Sequence, residues 1–508
     1  MSRVSRQSFL AAFLLLTVGC LFAQTQQTST NDTGAPPAAT GLDVQTQMSE
    51  NPPVSGLDEP KFEPGFGTRS YLAPKIEASE NLDTNATSIP GRNNVTDTTR
   101  LLGSLDLQKL WKQHPLDLDY IGGVDWYSAG GGHVYQLQSL EATQRFLWRT
   151  GQLAVRDSLS YLPEGTFGFA SFGGAGGAFG GGGLEAGGIP GGSEVGIFGN
   201  GQYGSLSTQP RLTNMGIVDI TQYVSPRSEV VLTGAFGLTD FTNNPSGPTC
   251  STVANCYFNS QQAIGELAYN YQISRRNQLA LVYAYEELHF PTAFAGSLNV
   301  NLVQLLFAHR ITGKLDFILG GGPELVRRTQ SEEELLGQVP VGLPCINPTQ
   351  LTPCVIIRSR FITGSARMSL RYRMTPRTAL QLGYLRYISP GSGFFGGANT
   401  DVVRFSVNHS LERHWTLMMD SGYARNSRLL AVTAGAAGGA AVYHYWYVGG
   451  GVHRQLGRHW GAFGSYQYDQ FKFGDTGCTG TGSNCGLGYG RNILLVGVHW
   501  TPQPIRLD

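Results

Sequence analysis

The sequence predicts an all-β fold: a transmembrane antiparallel β-barrel of about 18 strands, with 16 as the alternative count. Three observations carry that expectation. Segments of roughly 10–14 residues with alternating apolar and polar character recur after residue 69, and beyond the N-terminal leader no apolar run is long enough for a membrane helix. The connections alternate between short basic turns and long variable loops. Most tryptophans stand beside the short turns.

Composition narrows the class. The chain has 508 residues, with 68 Gly, 22 Tyr and 25 Phe, and only 14% are charged. So little charge with so much glycine is unusual for a soluble domain of this length. The formal net charge of zero lacks the basic excess of a nucleic-acid binder.

The elements follow in chain order. Residues 1–23 read as a signal peptide: Arg3 and Arg6, the apolar run Phe9–Leu16, then Leu21-Phe22-Ala23 with cleavage near Ala23. Thr17-Val18-Gly19-Cys20 offers a lipidation alternative, with Thr where Leu is usual. The apolar run is shorter than the ~20 residues a spanning anchor needs. Residues 24–68, rich in Thr, Gln, Pro, Asn and Ala, read as a disordered periplasmic linker. Residues 69–508 read as the barrel, opening with a strand at 70–82 and closing with one at 490–500.

Short turns are expected at 112–115, 149–151, 225–228, 274–277, 312–314, 375–377, 412–414 and 457–459. Long loops are expected at 83–99, 128–133, 163–210, 242–258, 290–297, 328–357, 390–400, 426–440 and 474–489. Short periplasmic turns opposite long extracellular loops mark outer-membrane barrels.

Strand faces fit. Leu116-Asp117-Leu118-Asp119-Tyr120 alternates, as does Ile362–Arg373. Alternation suits a soluble sandwich equally well. The tryptophans favour the barrel: Trp111, Trp148, Trp415, Trp460 and Trp500 mark one level, as an interfacial aromatic girdle does. Three features break the pattern. Asp157 and Arg386 fall on the lipid face, and the stretch Leu298–Ile311 changes phase, which predicts a bulge. Residues 440–456 are apolar on both faces.

Inward positions supply candidate pore-lining groups: Asp117, Asp119 and Asp125 on one strand, Arg367, Arg371 and Arg373 on another, with Arg404 nearby. Opposed acidic and basic arrays would set a transverse field across a pore; local ion pairs within the wall are the alternative. The Gly-rich loop 163–208 lacks a Gly-Lys-Ser/Thr phosphate motif, so it reads as a surface loop or as a segment narrowing the lumen. The ten histidines show no metal spacing, and His409 and Ser410 are adjacent, hence on opposite strand faces. No nucleophile has a credible base, which argues against an enzyme; no metal or cofactor is expected.

Six cysteines form three couples in long loops: Cys250 with Cys256, Cys345 with Cys354, Cys478 with Cys485. In an oxidising compartment they are expected as disulfides, each stabilising by about 2–3 kcal/mol in the chain-entropy model.

With Ser79-Glu80-Asn81-Leu82-Asp83-Thr84-Asn85 after the first strand and repeated hairpins through Leu494–Trp500, the chain resembles the β-barrel porins of Gram-negative outer membranes. Thr501–Asp508 extend past the terminal aromatic. The resemblance implies insertion in outer-membrane lipid by the barrel-assembly machinery, as a monomer or homo-oligomer. It also implies passive diffusion of a small hydrophilic solute or oligosaccharide. The alternative is a non-conducting surface barrel whose loops bind a partner or matrix polysaccharide.

Overall fold

Alternating residues joined by tight turns fold into antiparallel hairpins, because each turn returns the chain beside its own preceding strand. A computed structural model describes residues 70–85, 95–111, 114–128, 133–162, 211–241, 259–274, 276–291, 296–333, 354–375, 377–389, 395–411, 414–429, 441–474, 486 and 488–507. All lie within one unit, Thr40–Asp508. The leader, the linker, the Gly-rich loop and five of the six loop cysteines fall outside the described residues.

The strands are β1 (Tyr71–Asp83), β2 (Thr96–Lys109), β3 (Leu116–Tyr127), β4 (His133–Trp148), β5 (Gly151–Leu162), β6 (Arg211–Ser225), β7 (Ser228–Phe241), β8 (Ser260–Ser274), β9 (Asn277–Phe290) and β10 (Gly296–Thr312). They continue as β11 (Leu315–Glu333), β12 (Cys354–Thr375), β13 (Thr378–Ser389), β14 (Ala398–Ser410), β15 (Trp415–Arg428), β16 (Val442–Gln455), β17 (Trp460–Phe473), β18 (Gly488–Trp500) and the two-residue β19 (Ile505–Arg506). Each of the first eighteen pairs with its sequence neighbours, and β1 pairs antiparallel with β18 from Ile76↔Trp500 to Asp83↔Ile493. The result is a closed 18-stranded antiparallel barrel. Closure removes the unpaired strand edges that an open sheet would expose. The chain end returns as β19 against the start of β1, with Tyr71 opposite Arg506.

The eight short connections all lie on one side of the barrel and the nine long ones on the other, as the alternation predicts. Four short turns share one device. Ser225, Ser274, Thr312 and Thr375 each accept a hydrogen bond through the side-chain hydroxyl from the backbone N–H two residues on, at Arg227, Arg276, Lys314 and Arg377, each at 3.2 Å. The hydroxyl closes the turn, and the basic residue is exposed at all four, with Lys314 Nζ reaching the Met374 carbonyl at 3.4 Å.

Two expectations are corrected. The loop expected at 328–357 is shorter: β11 and β12 run 19 and 22 residues, up to the rung Glu333↔Cys354, whereas the other barrel strands span 12–17. The charged residues there mimic a loop in sequence, but strand pairing continues through them. No bulge interrupts the body of β10, which pairs with β9 unbroken from Gly296↔Phe290 to His309↔Asn277; its register against β11 shifts at the turn, between Arg310 and Thr312. Its phase looks inverted because Leu298, Val300, Leu302 and Leu306 are buried on the inner face while Val303, Leu305 and Phe307 are exposed on the outer one.

Elsewhere large apolar side chains line the outside. Leu232, Phe236, Leu267, Tyr269, Leu281 and Tyr283 are all exposed, around half their surface open in several cases, while their strand neighbours Thr233, Glu266 and Ala280 are buried. A contiguous exposed apolar belt is not the surface of a protein dissolved in water.

Candidate functional site

The inner wall is the candidate site. Its charged groups are mostly held by partners on adjacent strands. Arg100 donates to Asp125 from Nε and Nη2 at 2.7 and 2.8 Å, directly across the β2–β3 pair. Asp219 accepts from Arg156 on one side and from Thr233 Oγ1, at 2.7 Å, on the other, tying β5, β6 and β7 together. Gln262 donates to Glu286 at 2.7 Å, and Arg310 to Asp316 at 3.0 Å. At the seam Arg491 Nε donates to Asp83 at 2.6 Å. A charge-assisted bond between neighbouring strands needs little side-chain reach, and burial strengthens it.

The candidate pore-lining residues fall as follows. Asp125 is fully buried in its pair with Arg100, a local ion pair. Asp117 and Asp119 face inward near the turn side, and Asp106, which the sequence reading overlooked, joins them from β2, where Tyr71 donates to it at 3.1 Å. Arg367, Arg371 and Arg373 share the inner face of β12, and Asp316 stands directly opposite Arg371. Arg404 is buried on the inner face of β14. β3 and β12 are nine strands apart in a ring of eighteen, hence diametrically opposed. Arg371 and Arg373 therefore look across the turn-side lumen toward Asp117 and Asp119.

The loop-side mouth is built differently. Ile388, near the end of β13, is buried against Leu288, Phe290, Leu298, Val300 and Val326 on the inner faces of β9–β11. Gly397, just before β14, adopts φ +82°, and a Cβ there would collide with Leu298 Cδ1. Leu429, just beyond β15, accepts a hydrogen bond from Arg328 of β11 at 3.0 Å. Phe395 packs on Tyr443 at 5.2 Å in a second cluster with Tyr445, Tyr447 and Phe471. β10 and β14 are four strands apart, so the loop-side ends of β13–β15 fold inward until they touch the facing wall. This contact explains why Leu298, Val300 and Leu302 of β10 and Tyr443, Tyr445 and Tyr447 of β16 are apolar inside: they line a packed interface within the lumen.

The outer face carries the aromatic residues. Trp148, Trp415, Trp460 and Trp500 point outward at turn-side strand ends, Trp111 lies exposed in a short turn, and Trp460 stands opposite Trp500. Arg454 sits 4.8 Å over the Trp415 ring. The two remaining tryptophans, Trp126 and Trp446, point outward near the loop side. Asp157 also faces outward, where Asn214 donates to it at 3.1 Å. Arg386, expected on the lipid face, does not: the end of β13 folds inward, and Arg386 lines an internal cavity with Glu286, Glu324 and Arg367 of the inner wall, 3.7 Å from Asp401. Of the cysteines, only Cys354 is described, as the first residue of β12. His453 and His499 stack at 5.1 Å, yet among the described residues no group of three or more ligating side chains could hold a metal.

No family model matches the chain, and no curated protein matches it. Among solved structures, similarity is found to the ferric-catecholate import receptor Fiu from E. coli K12 in its open form, at 7% identity and a TM-score of 0.41, covering 84% of this chain and 81% of that one. Pseudomonas aeruginosa OccK2 (OpdF) gives 10% identity and 0.37, covering 85% and 98%. P. aeruginosa OccK5 (OpdH) gives 11% and 0.37, covering 87% and 99%. Values this low carry no function across.

Proposed function

We propose that this protein is a channel of the Gram-negative outer membrane that passes small hydrophilic solutes or oligosaccharides by diffusion. The observation that supports this best is the reversed polarity of the wall. Apolar side chains cover the outside of a closed barrel, while carboxylates, guanidiniums and amides line the inside. Lipid accepts the first surface and only water or a polar solute accepts the second. Barrels of 16–18 strands are wide enough for an aqueous channel. Asp106, Asp117 and Asp119 facing Arg371 and Arg373 would orient a dipolar solute at the turn-side opening, with no chemical step and no cofactor. The signal peptide, the linker, assembly by the barrel machinery and disulfides within the loops belong to the same reading.

A second reading has one observation in its favour. The contact between the β13–β15 ends and β9–β11 narrows the loop-side mouth, which suits a non-conducting surface barrel. Planar-bilayer recording of the folded protein decides between them. Discrete conductance steps are expected for the channel; their absence across repeated insertions would refute it.

A further inference from the structure

Charge is divided between the two ends of the barrel. The eight short connections between strands carry nine Lys or Arg and one carboxylate, Glu412, and every one of the eight holds a base. The nine long connections carry five carboxylates and a single base, Arg92. The formal net charge of zero hides this asymmetry.

Every short turn couples its base to an apolar side chain at the same level. In four of them the order is apolar, hydroxyl, any residue, base. Val224, Ile273, Ile311 and Met374 stand immediately before Ser225, Ser274, Thr312 and Thr375, and each is between 44 and 65% exposed on the outer face. The bases three positions later, Arg227, Arg276, Lys314 and Arg377, are exposed as well. The other four turns use tryptophan: Trp111-Lys112, Trp148-Arg149, Arg413-x-Trp415 and Arg458-x-Trp460. Trp111, Trp148 and Trp460 are exposed, as are Arg149 and Arg458. Arg454, over the Trp415 ring, adds a cation at that level. The loop-side tryptophans, Trp126 and Trp446, have no Lys or Arg within two residues.

Distance decides what these bases act on. Eighteen strands at about 4.8 Å and a tilt of about 40° give a barrel radius of roughly 18 Å. In physiological salt, charge is screened over about 8 Å, so the rim acts weakly on a solute at the pore axis. It acts on what touches it. The bases stand roughly 12 Å apart from turn to turn round the circumference. A surface for a protein partner would gather them on one flank. An annular array fits an annular occupant, the lipid around the barrel.

We infer that the turn side of the barrel is a collar for phospholipids of net negative headgroup in the leaflet it meets. The inference rests on the membrane-spanning reading above. At each turn the apolar or indole side chain enters the acyl boundary and the base meets the phosphate, to which a guanidinium donates two parallel hydrogen bonds. A zwitterionic headgroup carries its own cation beside the phosphate, so the collar selects by net charge. The carboxylates of the long connections repel the same headgroup at the other end.

The test places the full-length folded protein in nanodiscs of equal phosphatidylglycerol and phosphatidylcholine with matched acyl chains. Native mass spectrometry then counts the lipids that stay bound. Wild type is expected to retain the two at a ratio of about five to one. The ratio should fall toward parity in R227Q/R276Q/K314Q/R377Q and be largely kept in R227K/R276K/R377K. It should also survive R425Q/K472Q, which removes bases near the loop-side ends of β15 and β17. Equal retention in wild type, or a ratio undiminished in the quadruple variant, would overturn the collar. So would an equal fall in R425Q/K472Q, or retention of a soluble anionic cell-wall glycopeptide, added as competitor, in place of lipid. If the quadruple variant loses the heat-modifiable gel mobility of a folded barrel, salt titration of wild type decides: the ratio must drop as ionic strength rises, and a salt-independent one sinks the inference. Failure to enter nanodiscs at all counts against the membrane-spanning reading as well, whereas entry without lipid preference counts against the collar alone.

Discussion

Asp83 and Arg491 are 408 positions apart in the chain and meet at 2.6 Å on the inner face of the seam. Both are almost fully buried. Removing one partner leaves the other charge uncompensated, at a cost on the order of 3–5 kcal/mol, whereas replacing both by apolar groups restores most of it. Urea unfolding should therefore show a large loss for Asp83→Ala and a smaller one for D83L/R491L; equal losses would mean the pair contributes nothing specific. The sequence alone identifies Asp125 as inward-facing, since alternation sets a face. It does not identify Arg100 as its partner, because the partner depends on register, and register depends on where each turn falls. Asp106 was overlooked for a related reason: Leu105-Asp106-Leu107 gives no sign that its neighbour across the strand pair is Asp119.

At the scale of elements, the turn map was legible because short turns need particular residues, and hydroxyl–x–base tripeptides recur at four of them. What stayed illegible was the inward fold of the β13–β15 ends. Its only trace is apolar character on the wrong face of β10 and β16, which reads locally as a bulge or a defect. Gly397 is the hinge of that contact: its left-handed backbone excludes most side chains, and it lies against Leu298. Gly397→Val should push the segment off the inner wall and raise single-channel conductance, with a loss of stability of about 1–3 kcal/mol. Unchanged conductance in a folded variant would show that this contact does not limit the pore. The cysteine couples also belong to this scale. Reduction should leave the barrel's heat-modifiable mobility intact while making the loops at 242–258, 334–353 and 475–485 more sensitive to protease. Loss of the mobility itself would show that the couples hold the wall rather than the loops.

For the whole molecule, barrel closure, strand number and the side occupied by each connection all followed from counting alternations and turns. The charged rung at the loop-side end of β13–β17 did not. Arg386, Asp401, Arg425, His444 and Lys472 are separated by 15 to 28 positions and become neighbours only after strand lengths fix the rung. Deleting residues 173–204 should raise conductance if the Gly-rich loop constricts the lumen; no change would assign it to the surface. The seam has a kinetic consequence. Every other pairing among the eighteen barrel strands joins segments adjacent in sequence and can zip as the chain is made. The β1–β18 pairing must wait for the last strand, with nearly the whole chain as its closing loop. Until then two long edges stay open, each a template for pairing with another chain. A chain truncated before Gly488 should therefore partition into high-molecular-weight aggregate rather than a smaller closed barrel, and the first strand is the one an assembly chaperone has most reason to hold.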